Sequence, residues 1–482
     1  MKLREKLGRL RIAPPTPTPP AMPSREPFYE REQSEWNEEP LRPEHPERLD
    51  HAQPVDHAQP KLQKIGSLRE QLAGLQQRSK PVVPRLPEPR RTFAESVLDA
   101  HDRVAVRPQV VPGERTDTSL GPLYQTRVLH DAEHRHGGVE VARGAHVLAG
   151  EVAALALDPA LAEVDFSRAL YIDTETTGLV GGSGTLPFLI GMAWFEGEQL
   201  MVEQLLLPRP GHEAPMLARL KERLAQASAI VSYNGKSFDW PLLRTRFVLN
   251  RLAVPALPAH LDLLHCARRV YKMRLGSVRL LHLEQEILNY ERIDDLPGEL
   301  IPQRYFEFLR GQADGGTLRP ILDHNRSDLV ALPALLGELV RRFSLEPGAR
   351  QHACDQLGFA RVAARARESD RAIAHAHAVI DADVRGEHSA HAHFLVGALE
   401  LKRGDTQAAV AAFERAVEHA EHELDRARAH LALAKLHEHK TKHCARALEH
   451  AAHTAACEGH EARDRRVDRL TRRLQRRADP PV

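Results

Sequence analysis

Apolar positions change their rhythm several times along this chain, and the changes mark out its parts. Runs that read as strands occupy 169–174, 188–196 and 200–207, followed by a helical spacing at 213–226, a further strand "AIVSY" at 229–233 and helices from 237 onward. Two Gly-containing breaks, "GLVGGSGT" and "EGE", are short enough to join the first three strands as antiparallel neighbours. The 213–226 helix supplies the crossover that a parallel neighbour requires. An α/β domain is therefore predicted over 169–343, with a mixed sheet flanked by helices on both faces.

On either side of this stretch the pattern differs. From 97 to 168, short apolar runs alternate with Gly turns ("GPLYQTRVLH", "HRHGGVEV"), which predicts a short hairpin-rich lead-in. Sixteen of the 34 prolines fall within residues 1–90. Segments such as "PPTPTPP" sustain neither a helix nor a central strand, so 1–96 reads as a disordered, low-complexity leader. Inside it, Leu62, Ile65, Leu68, Leu72 and Leu75 are spaced as a short amphipathic helix, either transient or a docking element. After 344 the chain turns to Ala, Arg, Glu, His and Leu, a helical composition. Gly397, Ala409, Phe413 and Ala416 occupy places 8, 20, 24 and 27 of a tetratricopeptide unit, and Ala432, Cys444, Leu448 and Ala451 recur 35 residues on. This predicts an all-α helical-repeat domain over 350–477, with a plain Ala-rich bundle as the alternative. Its last segment, "RDRRVDRLTRRLQRR", holds eight arginines against two aspartates, which suits a solvated helix face and a phosphate-backbone contact equally.

Composition narrows the partners only a little. Lys plus Arg number 67 against 66 Asp plus Glu, a formal charge of +1, so any nucleic-acid signal must be local. The four cysteines lack C-x-x-C spacing, which suits a reducing compartment and a cytoplasmic location. Residues 1–12 are too charged for a signal peptide, and no run of roughly 18 apolar residues occurs, so neither secretion nor membrane association is expected.

The chemistry begins at the tip of the first strand. In "DTETTG", Asp173 and Glu175 stand two residues apart, so their carboxylates leave one face of the strand close together. Two like charges so placed are costly without a cation, and oxygen donors of this kind suit Mg²⁺ or Mn²⁺. Asp239 lies just inside the helix that follows the Asn-Gly turn of "VSYNGKSFDWPLL" at 231–243. Asp328 opens a helix in "HNRSDLVALPALL" at 324–336, where Leu329, Leu332, Leu335 and Leu336 make one apolar stripe. Four carboxylates from three segments can thus converge on a pair of metals.

These segments resemble the three motifs of the DnaQ-like 3′–5′ exonucleases, the four-carboxylate (DEDD) branch of the ribonuclease H-like superfamily. With its "GLVGGSGT" loop and helical tail, the chain as a whole resembles the bacterial YprB-type RNase H-like proteins. The resemblance implies a ribonuclease H-like fold and a metal-dependent nuclease that hydrolyses phosphodiester bonds of single-stranded DNA or RNA. It also implies two divalent ions, Mg²⁺ or Mn²⁺, held by Asp173, Glu175, Asp239 and Asp328. Thr176, Thr177 and Asn234 would then meet the substrate, while Phe238 and Trp240 either stack on a base or pack against the sheet. One position departs from the family pattern, which has a histidine five residues or a tyrosine four residues before the last aspartate. Here those places hold Asp323 and His324. An imidazole suits proton transfer near neutral pH, so His324 is the candidate general base, with capping of the 325–340 helix or contact with solvent as its other use. Asp262, in "HLDLLH", matches a family aspartate that binds no metal and is expected to be structural. The stretch "RRVYKMRLGSVR" at 268–279, with five basic residues and no acid, makes Arg268, Arg269, Lys272 and Arg274 candidates for the phosphate backbone. Two other readings use the same features: a nucleic-acid binder without turnover, and an adaptor that engages a protein partner through 350–477.

Overall fold

The computed structural model describes residues 111–178, 184–344, 351–383 and 386–478. The 1–96 leader, its 62–79 spacing and most of the "GLVGGSGT" loop lie outside the described residues. In chain order the strands are β1 (Glu114–Thr118), β2 (Gly121–His130), β3 (Arg135–His136), β4 (Val139–Glu140), β5 (Leu170–Thr176), β6 (Pro187–Glu196), β7 (Gln199–Leu206), β8 (Ala229–Ser232) and β9 (Ala259–Asp262). The main helices are α1 (Ala149–Ala156), α2 (Ala214–Gln226), α3 (Asp239–Leu249), α4 (Leu263–Leu275), α5 (Ile301–Leu309) and α6 (Arg319–Ser344). They continue as α7 (Ala353–Arg365), α8 (Ser369–Ala382), α9 (Glu387–Arg403), α10 (Thr406–His419), α11 (Glu423–His439), α12 (Cys444–Ala451) and α13 (His460–Ala478).

Seven strands form one mixed sheet in the order β1-β2-β7-β6-β5-β8-β9. β5, β6 and β7 pair antiparallel as their short connections require, and the α2 crossover brings β8 parallel to β5, followed by β9 parallel to β8. The segment read as a lead-in is not peripheral: β2 pairs along β7 over seven residues, Tyr124–His130, and β1 closes that side. Every residue of β1 is exposed.

Strand alternation divides the core between the two faces. Leu170, Ile172, Met192 and Ile230 pack under α2, α3 and α5, whereas Tyr171, Ala193, Val202 and Val231 pack under α1, α4 and the later part of α6. Asp173 and Glu175 continue the Tyr171 face, and Thr174 continues the other. Helix α6 crosses close above β6 because Gly191 leaves room; a Cβ there would lie 2.7 Å from Leu329 Cδ1 and overlap the Asn325 side chain.

The helical tail packs directly onto this layer. Gly358 of α7 lets that helix seat on α4, where an added Cβ would come within 2.6 Å of the Val270 carbonyl. Phe343, near the end of α6, stacks on His375 at 6.0 Å and meets Phe359 at 5.8 Å. Within the tail, Gly397 lies against the Phe413 ring, which in turn meets Phe394 edge to face at 5.3 Å. Glu438, buried on α11, receives Arg469 and Arg473 of α13 at 2.8 Å each, and Arg466 bonds Glu458 at 2.7 Å. These three arginines tie the last helix to its neighbours, while Arg469 and Arg473 remain exposed on its outer side. Among the described residues no helix is long and apolar enough to cross a membrane.

Gly191→Ala should push α6 away from the sheet. Overpacking of this kind costs about 1–3 kcal/mol, so the urea midpoint of the full chain should fall; an unchanged midpoint would show that α6 tolerates the methyl group.

Candidate metal centre

The C-terminal ends of the parallel strands β5, β8 and β9 share one edge of the sheet, and the acids gather there. Alternation sends Asp173 and Glu175 out on the α6 side of β5, as expected from their spacing. A register shift between Glu175 and Thr176 irregularises the strand at this point, a common device for re-aiming a side chain.

Helix α6 starts at Arg319, not near Asp328 as the sequence suggested, because the turn at Gly315–Leu318 runs straight into it. His324 and Asp328 therefore lie one helical turn apart on the same face, and the four-residue spacing that looked irregular is a helical neighbour relation. Glu175, His324 and Asp328 each present a donor atom, all within 4.8 Å of one another. His324 Nε2 is 3.6 Å from Asp328 Oδ2, while its Nδ1 meets both oxygens of Asp295 at 2.8 and 2.9 Å.

Asp239 arrives from the opposite face of the sheet. The turn that delivers it is held by Asp262, whose carboxylate accepts from the backbone N–H groups of Asn234 (2.8 Å), Lys236 (3.2 Å) and Leu264 (3.1 Å), a structural role as expected. Asn234 adopts a left-handed conformation (φ 66°), and Gly235 leaves space that a Cβ would close, 3.0 Å from Asp239 Oδ2. The Thr174 hydroxyl then donates to Asp239 Oδ1 and joins this acid to β5.

The four carboxylates repel one another in a poorly hydrated place. Burial above all, then Asp328, Glu175 and Asp239, hold the Asp173 carboxyl well above the usual range, opposed by the Asn325 amide. Burial, Asp328, Asp239 and Asp295 do the same to Glu175. Burial pushes Asp239 up to about 6 against the Thr174 hydrogen bond, and it raises Asp328 despite Arg292 and His324. A crowd of oxygen donors with one imidazole, whose charge is this poorly compensated, fits a divalent cation in its donor chemistry.

Several residues that hold this arrangement gave no clear signal in the sequence. Asn325 donates to Asp173 Oδ2 (2.7 Å), Gln204 of β7 donates to Asn325 Oδ1 (2.9 Å), and Thr126 of β2 donates to Gln204 (3.0 Å), so a polar chain runs across the strands to the first acid. Asn325 lies inside the "HNRSD" segment, where its neighbours drew the attention. Arg292, only 4% exposed, bonds Asp328 Oδ1 and also Glu284 at 2.8 Å, and Glu284 bonds His136 at 2.7 Å. Arg292 and Asp295 come from "YERIDDLPG", a loop without periodicity whose partners lie far away in the sequence.

The expected substrate residues divide. Phe238 is 55% exposed beside Asp239, whereas Trp240 packs against the core. Thr177 is engaged by the turn itself: its N–H donates to the Leu186 carbonyl and its hydroxyl accepts from the Leu186 N–H. Thr176 bonds the Gly178 carbonyl at 2.8 Å. Arg269 donates to the Leu155 carbonyl, and Arg274 pairs with Asp355 of α7 through two bonds of 2.9 Å, so both tie the fold together. Lys272 bonds the Gly276 carbonyl at the far end of α4, roughly 14 Å along the axis from the helix start beside the acids. Arg268 is exposed nearer that start, and exposed Lys236 in the Asn-Gly turn adds a cation that the sequence reading passed over.

Comparison with known proteins agrees with this architecture. Residues 170–340 match a family model described as RNase_H superfamily. Over 311 residues, 63% of this chain and 74% of the relative, the sequence is 33% identical to the uncharacterized protein YprB of Bacillus subtilis (strain 168).

The raised acids set a pH dependence. An unfolded aspartate loses its proton near the ordinary value of about 4, whereas Asp239 holds its proton up to about 6. Ionising it in the fold is thus a penalty that builds between these values and is complete above them. In EDTA, Asp239→Asn should therefore melt at the parent's temperature near pH 4 and above it at pH 7.5, by about 2–4 °C per kcal/mol recovered. Mn²⁺ should stabilise the parent more than the variant. Thermal scans at the two pH values check both statements; a difference that shrinks as pH rises would contradict the assignment.

Proposed function

The chain belongs to the YprB-type family of RNase H-like proteins, and on that premise we propose that it is a metal-dependent nuclease, a 3′–5′ exonuclease acting on single-stranded DNA or RNA. The observation that carries this reading is the gathering of Asp173, Glu175, Asp239 and Asp328, from three separate segments, into one mutually repelling group at the sheet edge. Fold stability gains nothing from such a group, and perturbed carboxylates of this kind concentrate at functional sites.

In this reading the four acids hold two divalent cations, which supply Lewis acidity and neutralise charge at the scissile phosphate. The chain itself does the positioning. Asn325 fixes Asp173, Thr174 fixes Asp239, and Arg292 takes Oδ1 of Asp328 and leaves Oδ2 toward the site. Phe238, exposed at the start of α3, offers a face on which the terminal base stacks, and Lys236 with Arg268 lines the approach of the phosphate backbone. Cys266, Cys354, Cys444 and Cys457 are all free thiols, in keeping with the cytoplasm as the working compartment. The Arg292–Asp328 pair also favours a second reading, nucleic-acid binding without turnover, since it gives one acid a permanent counter-charge.

Incubated with Mn²⁺ and 5′-labelled single strands, the purified chain should produce a ladder that shortens from the 3′ end. Asp173→Asn should lower the rate by more than about 100-fold, beyond the usual cost of losing an outer-shell partner. Strands that are bound but never cut would select the second reading. Phe238→Ala should weaken single-strand binding by about tenfold, within the roughly 1–3 kcal/mol of one stacked base, while leaving double-strand binding unchanged in a fluorescence titration.

A further inference from the structure

The position of His324 differs from that of a free proton acceptor. Its Nδ1 is occupied by a bifurcated contact to Asp295 (2.8 and 2.9 Å), which places the lone pair on Nε2. That nitrogen does not face open solvent: it stands 3.6 Å from Asp328 Oδ2, and a Glu175 oxygen completes a set of three donors within 4.8 Å of one another. Two donors on one ion with bonds of about 2.1 Å stand roughly 3 Å apart when adjacent and roughly 4.2 Å apart when opposite. The His324–Asp328 separation lies between these limits. Asp295 meanwhile makes the contact that typifies metal-bound histidines, a carboxylate on the far ring nitrogen that sets the tautomer and the ring orientation.

We infer that His324 is a metal ligand and not the general base, that it joins Glu175 and Asp328 on one cation, and that Asp295 is its positioning residue. The inference rests on the metal-dependent reading of the preceding subsection and makes it more specific. Two carboxylates and an imidazole form a mixed oxygen–nitrogen set. Such a set favours Mn²⁺ over Mg²⁺, because Mg²⁺ prefers oxygen donors and retains its water, whereas nitrogen donors gain affinity among the transition metals. The same logic gives "YERIDDLPG" two tasks: Arg292 steadies Asp328 while Asp295 aims the histidine, so both residues of the α6 pair are braced by one loop.

The test is spectroscopic and needs no turnover. Electron spin-echo modulation of the Mn²⁺-loaded full-length chain should show nitrogen coupling of directly bound imidazole. His324→Gln should abolish that coupling and weaken Mn²⁺ binding by roughly 10- to 100-fold, while Mg²⁺ binding changes by less than about threefold; Asp295→Asn should retain the coupling and weaken Mn²⁺ by a smaller factor within the same range. Mn²⁺ bound by the parent without nitrogen coupling would overturn the histidine assignment and leave the four-carboxylate site standing. Failure of the parent to bind Mn²⁺ at all would overturn both. Because the first measurement uses the unaltered chain, a variant that fails to fold does not protect the proposal.

Discussion

Repulsion among carboxylates is the constraint around which this molecule is organised. Four acids are brought to one edge of a sheet, where burial and the neighbouring acids raise the cost of ionising Asp173 and Glu175, and burial above all raises that of Asp239 and Asp328. A solvated surface would disperse such charges. Here backbone geometry forbids dispersal: two acids are fixed by strand alternation, one by a turn pinned under Asp262, and one by a helix seated on a glycine. Three of the four acids have a partner of their own, an amide for Asp173, a hydroxyl for Asp239 and a guanidinium for Asp328, and the charge of Arg292 opposes the repulsion at Glu175.

Those partners explain features that otherwise look like ornament on a ribonuclease H-like sheet. The β1–β2 hairpin extends the sheet by two strands, and through Thr126 and Gln204 it also anchors the amide that steadies the first acid. His136 plays a similar part for Arg292 through Glu284, which has no exposure to solvent. Both anchors belong to the stretch before residue 169, so the supports of the site begin well upstream of its first acid. Packing and electrostatics are joined at the same residues, since the gap at Gly191 that admits α6 is also what lets Asn325 reach across to β5.

Much of this was legible in the amino-acid order, for definite reasons. Period-two alternation put Asp173 and Glu175 on one face, and the short breaks and the long crossover dictated antiparallel and then parallel neighbours. The start of α6 was misjudged because Asp-His-Asn-Arg-Ser-Asp carries no apolar beat; the helix there is sustained by the turn before it and by contacts from the sheet. Charge counts on α4 do not reveal that Arg274 faces a buried aspartate supplied by another helix 81 residues later. Arg292, Asp295 and Gln204 were invisible because their meaning lies wholly in long-range pairs, which no local period encodes. The sequence left Phe238 open between base stacking and the core, and its exposure follows from standing just ahead of the first turn of α3, where the chain is still at the surface.

Helix α6 deserves a last consideration as a shared beam. Its 26 residues span about 39 Å; its early turns carry His324 and Asp328, and its last turns carry Phe343 into the aromatic contact with Phe359 and His375. The catalytic-looking layer and the helical tail are thus built on one common member, not strung together as beads. Cutting the chain between the two parts would strand the apolar end of this helix in water, so neither part is a free-standing bead.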